Sequence, residues 1–112
     1  VLLDVRGLVR AVAEDTAAGV PTAAISARFH NAIARGTAAV LRAEAERRSL
    51  GLIVLSGGVF QNRLLLERCL ELLEDSGLRV LVPRLLPPND GGVSYGQAAI
   101  AAARFREDRL VP

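Results

Sequence analysis

The chain has 112 residues, 51% of them apolar, which is enough for one domain with a hydrophobic core. Its 14 basic residues, all arginine, are nearly balanced by 12 acidic ones, and a net charge of +2 gives no general reason to expect a nucleic-acid partner. The single Cys69 excludes an internal disulfide and no apolar run reaches membrane-spanning length, so we expect a cytoplasmic protein without a membrane partner.

Hydrophobic periodicity predicts four helices and two strands, which together indicate an α/β fold. The helices are predicted at residues about 4–18, 21–48, 60–76 and 93–106, and the strands at residues about 52–56 and 78–82. Pro21 stands in the first turn of the second helix, where proline is favoured, and Gly19 ends the helix before it. The order strand, helix, strand predicts a right-handed parallel βαβ unit packed by the helices.

The second predicted helix carries an apolar stripe and a row of arginines. Its apolar positions recur at helical spacing and predict the buried face: Ile25, Phe29, Ile33, Gly36 and Val40. Three arginines recur every seven residues on the same helix: Arg28, Arg35 and Arg42. We interpret this row as a solvated face rather than a nucleic-acid surface, because aromatic residues that could stack on bases are scarce.

His30 and Cys69 are residue types that often take part in catalysis. His30 has no second histidine and no acidic residue four positions away, which favours a structural role over a metal-binding or catalytic one. Cys69 falls on the apolar side of the third predicted helix without a histidine or lysine close in sequence, which favours an inert core thiol. We therefore predict no catalytic residue in this chain.

Residues 52–62, with the sequence LIVLSGGVFQN, predict a buried strand, a tight turn and the start of a helix. A continuous apolar run is typical of a parallel strand that is covered on both faces. The glycines Gly57 and Gly58 allow positive φ and close approach to a ligand, and the helix behind them would favour a phosphate. Taken alone, the turn favours a purely steric role over nucleotide binding.

Asp90 is the acidic residue that helix capping and solvated helix faces explain least. It lies after the second predicted strand, between two prolines and two glycines, near the edge of the sheet where open α/β proteins bind ligands. Its position leaves two interpretations open, a ligand-binding carboxylate or a cap for the last helix.

The loops that follow adjacent parallel strands lie side by side. Gly57, Gly58 and Asn62 are therefore expected to share a crevice with Asp90. Such a crevice has the groups to bind a nucleotide phosphate and a divalent metal. Because one carboxylate cannot hold a catalytic metal alone, we expect the metal site to be partial.

Three segments resemble HypF, the family of carbamoyltransferases that act in [NiFe]-hydrogenase maturation: FHNAIA at residues 29–34, LSGGVFQNRLL at 55–65 and PPNDGGVSYGQAAIA at 87–101. The resemblance covers nearly the whole chain. It implies part of an actin-like (ribonuclease-H-like) lobe of the actin/Hsp70/sugar-kinase superfamily. In that lobe Gly57, Gly58 and Asn62 would contact the nucleotide, and Asp90 would be a metal ligand. The family's histidine ligands lie in an earlier lobe, and His30 does not match them.

The resemblance also implies a reaction and its partners. HypF proteins make carbamoyl adenylate from carbamoyl phosphate and ATP, and transfer the carbamoyl group to the C-terminal cysteine of the partner protein HypE. The implied cofactors are ATP or carbamoyl adenylate and a divalent metal, zinc or iron.

The extent of the chain differs from that of a complete HypF. Complete members carry acylphosphatase-like, zinc-finger and YrdC-like regions and a first transferase lobe, and an actin-like lobe should have five strands where two are predicted here. We therefore expect residues 1–112 to be a single C-terminal fragment of a transferase lobe, which depends on the remainder of the HypF chain and is inactive in isolation. Its exposed sheet edge is expected to invite self-association.

Two alternative functions follow from the same residues. One is a related lobe, from a TsaD-type tRNA threonylcarbamoyl transferase or a sugar kinase, and activity toward tRNA would distinguish the former. The other is a non-catalytic α/β scaffold module, which a genomic neighbourhood without an upstream transferase lobe would favour.

Overall fold

Four helices and a two-stranded parallel sheet make up the described part, residues 4–107, of the computed structural model. The helices are α1 (Arg6–Ala17), α2 (Thr22–Arg48), α3 (Arg63–Leu73) and α4 (Val93–Glu107). The strands are β1 (Leu52–Val54) and β2 (Arg79–Leu81), and Ile53 lies opposite Val80 in their parallel register. Short 3-10 turns occupy Gly58–Gln61, Glu74–Ser76 and Asp90–Gly92. The predicted α/β class, with a two-stranded parallel core and four helices, is confirmed.

The third helix is shorter than the predicted span of residues 60–76. Its α-helical part begins at Arg63, because Asn62 has extended backbone and its side chain accepts the N–H of Leu65 at 3.1 Å. It ends at Leu73, and a 3-10 turn leads to Gly77, whose φ of +70° is favourable for glycine. The other element boundaries lie within about two residues of their predicted positions, a normal spread for helix and strand ends.

The chain groups into two compact units. The first comprises the residues up to Val54 together with residues 62–81, and contains α1, α2, α3 and the sheet. The second comprises residues 55–61 and the residues from Val82 onward, and contains the Gly57-Gly58 turn, the proline-rich loop and α4. All side chains of α4 that the structure describes, residues 93–106, are exposed.

The core of the first unit contains small residues from α2 and larger ones from α3. The buried residues are Ala34, Ala38 and Ala45 on α2, Leu65, Cys69 and Leu73 on α3, and Ile53 on β1. The α3 residues recur every four positions, so they form one face of that helix. Alanine side chains on α2 allow a close helix–helix approach, and the α3 leucines bring larger apolar side chains into the core.

The predicted buried face of α2 is only partly buried. Phe29 is 39% exposed, and Ile25, Ile33, Gly36 and Val40 are only half-buried. Ile25 and Phe29 instead line an open apolar groove of about 270 Å³ beside α1. The α2 face that packs most tightly is therefore the row of alanines, which is rotated from the row of larger apolar residues.

Two of the three arginines in the predicted solvated row make contacts within the first unit. Arg28 donates to both carboxylate oxygens of Asp15 at 2.8 Å and so links α2 to α1. Arg42 donates to the backbone carbonyl of Leu72 on α3. Both guanidinium groups thus stabilise helix packing while their side chains stay exposed.

Cys69 lies in the core with no exposed surface. Burial raises the pKa of its thiol above the ordinary value, so the reactive thiolate is disfavoured. The observed environment agrees with an inert core thiol.

Glu44, near the end of α2, has a strongly lowered pKa. Its carboxylate accepts hydrogen bonds from Arg47 at 2.6 Å and Arg48 at 3.0 Å, which lower its pKa from 4.5 to about 2. Because the folded pKa lies below the unfolded one, the ionised group stabilises the folded chain above about pH 4.5. That contribution decreases as the pH falls from there toward 2.

We expect Glu44→Gln to reduce the loss of thermal stability on acidification through this pH range. The effect should be small and should shrink at high salt, because the arginines are exposed. Melting curves recorded by circular dichroism as a function of pH measure it. Glu46→Gln is the matched control, since Glu46 makes no ion pair among the described residues, and an equal change in both variants would contradict the prediction.

Candidate nucleotide and metal site

The Gly57-Gly58 turn is held against the proline-rich loop by a backbone hydrogen bond. Gly57 donates its N–H to the carbonyl oxygen of Pro88 at 2.6 Å. The φ of Gly57 is +109°, a conformation that residues with a Cβ rarely adopt. This bond uses the N–H group of Gly57, so a phosphate would have to bind the N–H groups of the residues that follow.

Gly58 differs from Gly57 in having no conformational need for glycine. Its φ is not positive, and a Cβ built on it would lie 3.8 Å from the Cβ of Asn89, which is an ordinary contact. The fold therefore has room for alanine at position 58. A glycine here leaves the backbone open to close approach by another molecule.

The loop before α4 is held in shape by Asn89 and two glycines. The side chain of Asn89 accepts the N–H of Gly91 at 3.0 Å and caps the 3-10 turn that leads into α4. A Cβ on Gly92 would lie 2.9 Å from the backbone oxygen of Pro87, closer than real Cβ contacts occur. The sequence NDGG therefore fulfils a steric requirement of the loop in addition to any role in binding.

Asp90 is not the residue that caps this turn. Asn89 takes that position, and the Asp90 carboxylate makes no hydrogen bond or ion pair among residues 4–107. The side chain is exposed. Of the two interpretations left open by the sequence, a cap for the last helix is not observed: the Asp90 side chain makes no capping bond among the described residues, and Asn89 caps the 3-10 turn that precedes α4.

The turn and the loop together line an open cleft of about 500 Å³ in the second unit. Its lining is mainly apolar and backbone, with a few polar groups: Ser56, Gly57, Pro83, Leu86, Pro87, Pro88, Asn89, Asp90, Gly92 and Val93. The volume lies in the range typical of small-ligand sites, and a few polar groups in an apolar setting are also typical of such sites. The structure thus brings Gly57 and Asp90 to one cleft.

Asn62 belongs to the first unit, where it joins two helices. Its side-chain oxygen caps α3 through the N–H of Leu65, and its Nδ2 lies 2.8 Å from Nε2 of His30 on α2. The exposed Asn62 side chain therefore has defined partners on both of its polar atoms. The sequence missed His30 as a partner of this residue, and also missed Asn89 as the capping residue.

The residues of the cleft could supply part of a metal site but not all of its ligands. Among the described residues there is no group of three or more His, Cys, Asp or Glu side chains that could hold a metal ion. Asp90 offers one exposed carboxylate in the cleft, a ligand type that zinc and iron accept. A metal ion bound by Asp90 would require further ligands in addition to this carboxylate.

The sequence matches one protein family over most of its length. Residues 1–97 match the family described as the carbamoyltransferase Kae1-like domain, second subdomain. The chain belongs to the HypF carbamoyltransferase family. This match confirms the resemblance drawn from the sequence motifs.

Curated relatives and a solved structure agree with the family. The carbamoyltransferase HypF of Rhizobium leguminosarum bv. viciae is 37% identical over 100 residues, which are 88% of this chain and 13% of the relative. HypF of Synechocystis sp. is 33% identical over 105 residues, 92% of this chain and 13% of the relative. A crystal structure of full-length HypF in the phosphate- and nucleotide-bound form is 42% identical with a TM-score of 0.78, over 83% of this chain and 12% of that one.

The chain thus spans only about an eighth of the length of these three HypF proteins, 13% of each of the two curated relatives and 12% of the solved one. The relatives are transferase enzymes, and the chain corresponds to the second subdomain of their Kae1-like domain.

Within residues 4–107, none of the helices combines the length and the apolar character needed to cross a membrane.

Proposed function

We propose that the chain acts as part of a carbamoyltransferase that moves a carbamoyl group from carbamoyl adenylate to the C-terminal cysteine of a HypE protein. In this reaction the cysteine sulfur forms a bond to the carbamoyl carbon, the bond from that carbon to the adenylate oxygen breaks, AMP leaves, and the thiol proton passes to solvent or a base. Apart from Asp90, which is assigned to the metal, no described residue that lines the cleft carries a side chain suited to act as a base, and in this proposal the remainder of the HypF chain completes the active site. By itself the chain is inactive.

One observation carries this proposal. The hydrogen bond from Gly57 to Pro88 joins the glycine turn to the loop that bears Asp90, and both line the same cleft. A nucleotide needs free backbone N–H groups for its phosphates and a polar residue nearby. The N–H group of Gly57 is taken by Pro88, so the phosphate would bind the N–H groups of the residues that follow, and Asp90 would be the polar residue. The similar full-length HypF binds phosphate and nucleotide, which supports the same ligand class for this chain.

Gly57 and Gly58 are the proposed nucleotide contacts, and Asp90 is the proposed single ligand of a divalent zinc or iron ion. Asn62, in the first unit, is a further proposed nucleotide contact. A bound ion of this kind supplies Lewis-acid polarisation of a phosphoryl or carbonyl oxygen. The exposed carboxylate of Asp90 is available for this role because Asn89 caps the turn.

The remainder of the HypF chain is the first partner that we propose. Helix α4 supports this, since its described side chains are all exposed and include apolar residues such as Val93 and Ile100. The sheet supports it too, because Leu52, Val54 and Leu81 stay exposed on two strands that have one sheet neighbour each in the described part. Without that partner, the same sheet edges favour self-association. A cytoplasmic location stays a prediction.

Complementation tests this function. The chain is expressed together with the preceding part of a HypF protein, and ATP-dependent carbamoylation of the HypE C-terminal cysteine is followed by mass spectrometry. We expect activity with the wild-type chain, and a decrease in kcat/KM of at least about 100-fold for Asp90→Ala, because changes to residues that only hold metal ligands in place already cost about 10- to 100-fold.

Asp75→Ala is the matched control, since Asp75 is another exposed carboxylate that lies outside the cleft. It should retain wild-type activity. Equal activity of Asp90→Ala and Asp75→Ala would reject the metal role of Asp90. Failure of the well-folded wild-type pair to carbamoylate HypE would favour the non-catalytic scaffold.

A further inference from the structure

A chain of hydrogen bonds fixes the proton positions on His30 and the orientation of Asn62. Nδ1 of His30 lies 2.8 Å from the backbone oxygen of Ser26, and a carbonyl oxygen can only accept, so Nδ1 carries the hydrogen. Nε2 of the neutral ring is then an acceptor, and it accepts from Nδ2 of Asn62 at 2.8 Å. Oδ1 of Asn62 accepts the N–H of Leu65 at 3.1 Å, which completes the chain.

This arrangement allows one orientation of the Asn62 amide. A rotation by half a turn would place Nδ2 against the N–H of Leu65 and Oδ1 against the lone pair of Nε2, and both contacts would be repulsive. The ring of His30 is held in turn by its edge-to-face contact with Phe29 at a centroid distance of 6.0 Å. One hydrogen on Nδ2 and one lone pair on Oδ1 remain in the exposed amide for another molecule.

We propose that His30 is a positioning residue that holds the Asn62 amide in the orientation needed to bind a nucleotide. The hydrogen that remains on Nδ2 selects an acceptor atom, such as an oxygen of the phosphate or ribose of an adenine nucleotide. This rests on the proposed contact of Asn62 with the nucleotide. His30 itself acts through Asn62 and touches no ligand.

The positioning can be tested in the wild-type chain by nuclear magnetic resonance without any variant. Long-range ¹H–¹⁵N correlation of the His30 ring should show hydrogen on Nδ1 and a bare Nε2. The opposite tautomer, with hydrogen on Nε2, would overturn the proposal, because Nε2 could then not accept from Asn62.

Three variants extend this test through the side-chain amide resonances of Asn62. His30→Ala removes the acceptor and should shift them, whereas His30→Gln, whose oxygen can reach a similar position, should restore them. Ser26→Ala is the matched control, because His30 bonds to the backbone oxygen of Ser26 and the hydroxyl is more distant at 3.5 Å. Unchanged Asn62 resonances in folded His30→Ala would contradict the proposal.

ATP kinetics in the complemented transferase separate this proposal from the proposed function. His30→Ala should raise the KM for ATP about tenfold, the equivalent of one well-placed hydrogen bond, and His30→Gln should stay within about threefold of wild type. Asn62→Ala should raise the KM for ATP at least as much. Combining His30→Ala with Asn62→Ala should raise this KM no further. If Asn62→Ala leaves the KM for ATP unchanged, the proposed contact between Asn62 and the nucleotide is wrong. The tautomer of the His30 ring then still tests whether His30 positions the Asn62 amide. If Asn62→Ala raises the KM and His30→Ala does not, the positioning proposal fails alone.

Discussion

Replacing Leu73 by alanine is expected to lower the free energy of unfolding by about 2–5 kcal/mol, the range for fully buried leucines. Leu73 has no exposed surface and stands at the end of α3, in the row that packs toward the alanines of α2. Alanine residues cannot extend into the space that the truncation leaves, so the cavity should persist. The free energy of unfolding is measured by urea denaturation, followed by circular dichroism.

Leu64→Ala is the matched control for this prediction. Leu64 lies in the same helix but is 43% exposed, so its truncation removes less buried area and leaves no closed cavity. We expect a loss below about 1 kcal/mol for this control. Similar losses in the two variants would show that α3 does not form the core in the way described. Leu73→Met, which nearly conserves volume, should cost less than about 1.5 kcal/mol.

Gly92→Ala is expected to distort the loop that carries Asp90. The new Cβ would lie 2.9 Å from the backbone oxygen of Pro87, and backbone atoms can yield only by moving the loop. Overpacking of this kind costs about 1–3 kcal/mol. Because Pro88 accepts the N–H of Gly57, movement of the loop should weaken that bond, and amide exchange at Gly57 should become at least about tenfold faster.

Gly96→Ala and Gly58→Ala are the controls for the loop prediction. Gly96 lies in α4 with nothing near its Cβ position, so alanine should leave Gly57 exchange unchanged and favour the helix by about 0.5–1 kcal/mol. Gly58→Ala also fits the fold, and a loss of ATP affinity in this variant would come from blocked approach of the ligand. If amide exchange at Gly57 is as slow in Gly92→Ala as in the wild-type chain, the steric account of the loop is wrong.

The sequence was sufficient for the elements and their order, because those depend on local patterns. An apolar run before Gly57-Gly58 and a second run before Pro83 predict the two parallel strands, which pair with Ile53 opposite Val80. The same order predicts that the two loops meet, and the bond from Gly57 to Pro88 joins them. Nucleotide binding by this turn and metal binding by Asp90 stay predictions.

The errors arose where a choice depends on contacts between distant residues. Both the alanine row and the larger apolar row of α2 fit a buried face, and only the approach of α3 selects Ala34 and Ala38. His30 and Asn62 are 32 residues apart, so no local spacing predicts their hydrogen bond. Asn89 was overlooked because Asp90 beside it is an equally good cap by residue type, and backbone geometry decides between them.

The row of buried alanines on α2 predicts which substitutions relatives in the family tolerate in this helix pair. At positions 34, 38 and 45 a larger side chain would separate α2 from its neighbour, so relatives should carry only alanine, glycine or serine there. At positions 65 and 73 a smaller side chain would leave a void, but leucine, isoleucine and methionine can replace one another. Divergence in this helix pair should therefore be asymmetric, with almost all tolerated exchanges on the α3 side.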